Sequence, residues 1–487
     1  MELGLSSAFA DEGADRLTFG TLEPLTSLMQ DTPAEQLVPL LASKLAAGTD
    51  LKTMVAAGAL ANARTFGGQD YTGYHALMAL APSHAMSTEL PEARRALPVL
   101  KVLHRNTQRI QEQGGRKNEV LKPMRPSGGD SRNPTEDQLQ QAVRKADTGQ
   151  AEQCLNQWTG KSLCDTYHQI QSIVHDDIDV HRVVLAWRAW VLLDYTGQEQ
   201  ADTLLRQSVR FCVQSERDRI DRGRAEPGIR VTLPKLLDQY RLIGKPVGDR
   251  QPDDRWVENL AKQIYASTRE KAAEAVAAEL ADGMNPEAVG EAISLAAARL
   301  VLHDPGRTRD EAGKPKGSVH GASVGVHASD SANAWRNIAR VSNGRDATAS
   351  LIVAGYHTAG QSHGLNPSPY PYKEQLEVVK ENDPAKLLRM TEEAIRSKDQ
   401  TAACAIAQKF GESGGQPRAL FDLFLGFAVS EDGALHAEKY YRTVCEEFAS
   451  TRAAFRWRHL VALARVTASE FGHPSQGYQE ACRVLNL

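Results

Sequence analysis

The chain has 487 residues, 41% apolar and 24% charged, too long for one small core and too apolar for wholesale disorder. Its net charge of −4 gives no electrostatic case for nucleic acid or an anionic membrane as partner. No stretch reaches the roughly 18 consecutive apolar residues of a membrane span, the first residues hold neither a basic nor an apolar leader region, and the six cysteines form no CxxC pair. The expectation is a cytoplasmic protein with reduced thiols.

Taken in chain order, residues 33–63 are rich in Ala and Leu behind an Asp31-Thr32-Pro33 start signal, which predicts helix. From about 106 to 132 Gly, Pro, Lys and Arg replace apolar residues, and a basic loop excursion is expected inside an N-terminal helical region, 1–303. Helical pattern resumes at 135 and reaches DVHRVVLAWRAWVLLDYTG, where apolar residues occupy every face between Val183 and Leu193, as in a buried central helix. Two further helical stretches, from Ala201 and over 254–303, lead to the loop 304–326.

Residues 304–370 read as a loop-rich, His-containing segment closing a site, and 371–487 as a C-terminal helical block. Only ATASLIVAGYH is ambiguous between strand and helix, so the predicted class is all-α, a large multi-helix assembly with long irregular loops. The helix pair over 384–410 has the look of a tetratricopeptide-type repeat, but no second copy follows at a fixed period.

Four histidines stand near the starts of apolar helices: His75 in GYHALMAL, His181 in DVHRVVLAW, His327 in VHASDSANAWR and His436 in ALHAEKYYR. Any one of them is ordinarily a hydrogen-bonded, half-buried imidazole. Together they fit a metal site built from side chains that several helices project inward. No HExxH or paired Glu and ExxH pattern names the metal.

VHDDIDVH, 174–181, gathers His175, Asp176, Asp177, Asp179 and His181. One reading is an HD-type metal-dependent phosphohydrolase, with His175-Asp176 and His303-Asp304 as its pairs; the plainer one is that the acids cap the helix that follows. GxSxG, a P-loop and GxGxxG after a strand are all missing. Basic stretches from Arg217 and around FRWRHL read as solvated helix faces or anion-binding edges.

The four segments HALMAL, HRVVLAW, VHASDSANAWR and LHAEKYYR resemble those of the questin-oxidase-like proteins, helical non-heme iron oxygenases of aromatic polyketide metabolism. The resemblance implies Fe(II), or another divalent transition metal, held by His75, His181, His327 and His436 together with a carbamylated lysine, for which Lys439 is the candidate. It implies an O2-dependent oxidation of an organic, aromatic ring. His175, His320, His357 and Asp176 then become candidates for orienting ligands or binding substrate. A small-molecule substrate and O2 are the expected partners, without nucleic acid or membrane, and a homo-oligomer is compatible. A non-catalytic helical scaffold is the reading from another class, and bound metal separates the two.

Overall fold

The computed structural model describes residues 16–124, 134–158, 162–311, 315–319, 323–361 and 364–487. They form 23 α-helices and no sheet, only two isolated bridges, Arg250 with Met284 and Glu431 with Pro474. The all-α class is therefore observed. The ambiguous ATASLIVAGYH lies inside a helix, Gly344–Ala359, buried along nearly its whole length. Burial on every side removes the polar face whose spacing would have distinguished helix from strand.

One hydrophobic core runs from Met29 to Ala481, so the C-terminal helices pack into the same interior as the first ones. Four helices matter most: the His75 helix (Tyr71–Glu89), the His181 helix (Val180–Thr196), the His327 helix (Val324–Val341) and the His436 helix (His436–Ser450). The His75 and His327 helices each pack on both the His181 and His436 helices, which closes a ring of four. Further helices, including Ala96–Glu112, Pro286–His303 and Trp457–Glu470, surround that ring. The Ala96–Glu112 helix extends through the first residues of the basic stretch at 106–132.

Each of the four starts has its own local cause. Asp70 accepts from the Gly73 N–H at 2.7 Å, and Asp179 from the His181 and Arg182 N–H groups at 2.7 and 3.0 Å. Ser323 accepts from the Val326 N–H at 3.3 Å. The His436 helix has no side-chain cap and instead follows three left-handed residues, Gly433, Ala434 and Leu435, at φ 50°, 47° and 65°. Two of these carry a Cβ, a conformation that costs about 1–2 kcal/mol per residue.

Gly325, which by its type alone suggests a helix break, lies within the first turn of the His327 helix. A Cβ there would stand 2.5 Å from Val301 Cα and N. The glycine thus lets this helix start lie against the backbone of the Pro286–His303 helix.

Candidate functional site

All four histidines lie in the opening turns of their helices: His75 is fifth, His181 second, His327 fourth and His436 first. The four N-termini therefore converge, and the imidazoles meet in a closed circuit. Ring centres are 4.9 Å apart for His75 and His181, 5.6 Å for His181 and His327, 5.6 Å for His327 and His436, and 4.9 Å for His436 and His75.

Those separations can be set against coordination geometry. An imidazole bound through Nε2 at about 2.1 Å has its ring centre about 3.2 Å from the metal, so pairs lie about 4.5 Å apart at right angles and about 5.2 Å apart at tetrahedral angles. The two shorter contacts fall in that span and the two longer exceed it by about 0.4 Å. Among the described residues no three His, Cys, Asp or Glu side chains make up a metal-holding group. The arrangement is a slightly expanded ring of neighbours, not a closed coordination sphere.

The nitrogens face in a consistent way. His75 Nδ1 donates to the Tyr71 carbonyl at 2.7 Å and His436 Nδ1 to the Ala434 carbonyl at 3.1 Å, while His181 Nδ1 stands 3.3 Å from Asp179 Oδ1. Carbonyls and carboxylates only accept, so on His75 and His181 the proton sits on Nδ1 and Nε2 carries the lone pair. Nε2 of His75, His181 and His327 is buried with no hydrogen-bond partner among the described residues. Three such orphans in one ring are uncommon, because buried polar atoms are ordinarily paired. They fit a metal ion as their missing partner.

Burial disfavours protonation of two of these rings, His75 and His327. Burial, reinforced by Lys439 and His181, holds the His75 imidazole far below its usual range, and burial with the same neighbours brings His327 down to about 3. Lys439, one turn beyond His436 and 3% exposed, is pushed down by burial to about 8. It makes no hydrogen bond or ion pair among the described residues. Burial, the largest single influence, would raise the Asp179 carboxyl, but the hydrogen bond and charge of His181, the Arg182 N–H and His357 together outweigh it and hold it below the carboxylate range.

Tyr71 and Tyr74 pack on the ring, their centres 4.3 and 5.0 Å from that of His75. Tyr71 is 57% exposed and the Asp179 side chain 41%, which puts the mouth of the site on their side.

Of the other sequence candidates, His357 faces Asp179 and His327, whereas Asp176 and His175 are engaged by other partners. Asp176 is ion-paired to Arg144 and, at 3.0 Å, to Arg230, which gives its carboxylate a structural task. His175 Nε2 is 2.9 Å from Ser350 Oγ, and its ring stacks on Trp335, whose indole N–H donates to His357 Nδ1 at 3.5 Å. Burial brings His357 down to about 4. His303 Nδ1 donates to the Asn366 carbonyl at 2.8 Å. His320 lies outside the described residues.

Part of each basic stretch is bound internally: Arg219 pairs with Glu216 and Arg458 with Glu258, while Arg222 and Arg224 are exposed. The Tyr71 contact and the second contact of Asp179, onto His181 Nδ1, were not read from the sequence. Their signal is position, two residues before His181 and four before His75, where a helix start brings a cap or a carbonyl onto Nδ1.

Fold and site together define an all-α protein whose four helix starts converge on a ring of buried histidines. No family model, no curated protein and no solved structure matches the chain.

Proposed function

We propose that the chain is a metal-dependent oxygenase or oxidoreductase, with Fe(II) as the metal, acting in the cytoplasm with O2 on a small organic, aromatic ring substrate. The observation that carries this is the set of three buried, partnerless Nε2 atoms on rings whose Nδ1 atoms are engaged or whose neighbours keep them neutral. His75, His181, His327 and His436 would hold the metal. Lys439 would join them as the carbamate that the family resemblance implies. Neutral nitrogen donors suit iron, and iron supplies the one-electron chemistry that O2 needs to react with an aromatic ring.

The chain's own residues do the rest. The Tyr71 and Ala434 carbonyls and the Asp179 carboxylate fix ring orientation and tautomer; the Tyr71 and Tyr74 rings flank the ring of histidines and offer faces to a flat ligand; the surrounding helices exclude water.

Elemental analysis of protein purified without a polyhistidine tag tests this. About one transition metal per chain is expected, with His181→Ala and His327→Ala each losing most of it while far-ultraviolet circular dichroism stays unchanged. Metal-free protein that Fe(II) does not reconstitute would overturn the proposal.

A further inference from the structure

Six arginines are buried, and Arg64, Arg182, Arg206, Arg336 and Arg465 each contact an acid or a carbonyl. The sixth does not. Arg188 is 4% exposed, its Nε is buried without a hydrogen-bond partner, and it makes no hydrogen bond, ion pair or ring contact among the described residues. A buried guanidinium is ordinarily paired, because removing it from water is costly without a compensating partner.

Arg188 belongs to the His181 helix, seven residues on. Seven residues turn the helix to within about 20° of its starting direction and advance it about 10.5 Å, so Arg188 lies on the stripe that carries His181, two turns into the bundle. The charges facing it are Glu446 and Arg442 on the His436 helix and Asp330 on the His327 helix. Among the described residues neither acid makes an ion pair or hydrogen bond with it, although the Asp330 charge is left without an ion-pair partner and faces both Arg188 and Lys439. Glu446 pairs with Arg442 at 2.7 Å and accepts from Asn337 at 2.9 Å; Asp330 accepts from Thr443 at 2.8 Å. Lys439, which likewise makes no hydrogen bond or ion pair among the described residues, lies on the same interior side, one turn from His436.

From this buried guanidinium, without a hydrogen-bonded or ion-paired partner among the described residues and about 10 Å along the stripe from a histidine, we infer that Arg188 anchors an organic oxyanion, a carboxylate or phenolate, carried by the aromatic ligand of the site. A planar guanidinium recognises such oxygens with paired N–H donors. The spacing suits a fused aromatic of two or three rings that reaches from the histidines to Arg188. The inference rests on the reading of the histidine ring as a substrate-handling site.

The test follows thermal unfolding of the full chain with 2-naphthoate, its neutral analogue 2-naphthamide, and 4-nitrophenolate at pH 8. One or both oxyanions are expected to stabilise the wild-type protein with an apparent affinity roughly tenfold or more above that of the amide. Arg188→Met should abolish the discrimination and Arg188→Lys should keep part of it. Equal response to charged and neutral ligands, no response to any of them, or discrimination unchanged in Arg188→Met overturns the anchor. Metal content of the same samples reads the ring separately: metal-free protein that still discriminates keeps the anchor and refutes the metal reading, and metal-loaded protein that does not discriminate does the reverse.

Discussion

Substituting Gly325 by Ala tests whether the close approach of two helices sets the position of His327. The added Cβ would lie 2.5 Å from Val301 Cα and N and 2.9 Å from the Leu300 carbonyl carbon. Carbon atoms settle at about 3.5–4.0 Å, so the start of the His327 helix must retreat by about 1 Å. All three obstacles are backbone, which no rotamer change can clear. Overpacking of this kind costs about 1–3 kcal/mol. The retreat also carries His327, two residues on, by several times the roughly 0.2 Å that a metal-to-nitrogen bond tolerates.

Urea unfolding should therefore show a lower midpoint, and Fe(II) titration a weaker or absent site. Gly426→Ala is the control: it lies mid-helix with nothing within 4 Å of an added Cβ, and should be stabilising by up to about 1 kcal/mol. A Gly325→Ala protein that equals wild type in both stability and metal content would refute the argument.

Other expectations follow from strain, charge and burial. Ala434→Gly removes a left-handed penalty of about 1–2 kcal/mol while adding about 0.5–1 kcal/mol of chain entropy, so the urea midpoint should rise by the equivalent of about 0.5–1 kcal/mol; a fall would mean the turn is not left-handed. Arg188→Met replaces an unpaired buried charge by an apolar chain and should stabilise the ligand-free protein by about 1–4 kcal/mol in the same assay. Burial holds His459 at about 4, below its unfolded value of about 6.5, so between those pH values the unfolded chain binds the extra proton. Stability is then full above about pH 6.5 and falls by up to about 1.4 kcal/mol per pH unit toward pH 4. His459→Gln should flatten that slope by one proton's worth.

Much of this was legible in residue pattern, and the limits have physical causes. Histidines followed by apolar helix are visible at His75, His181, His327 and His436 because a helix start and an apolar run are both local features. That the four starts face one another depends on long-range packing of helices hundreds of residues apart, which no local pattern encodes. Arg188 escaped notice for a related reason: within VVLAWRAWVLL a charge reads as one interruption in an apolar run, and only the surrounding helices reveal that, among the described residues, no acid makes an ion pair with it. Gly325 has the residue type of a breaker, yet its role is to permit contact with Val301, a partner distant in sequence. Asp179 was legible as a cap, and its second contact, to His181 Nδ1, follows from the same helix start.

The convergence of four helix starts also sets a field. Each N-terminus carries roughly half a positive charge from its aligned peptide dipoles, so negative charge is favoured beside the ring, where it would also offset a bound metal. The field is uneven, because Asp70, Asp179 and, in the first turn of its helix, Glu438 offset the His75, His181 and His436 helices, whereas the His327 helix has only the neutral Ser323 cap and no acid in its first turn. An anionic group is thus drawn toward the His327 side. Because backbone direction creates this tilt, replacing any one imidazole would leave it in place.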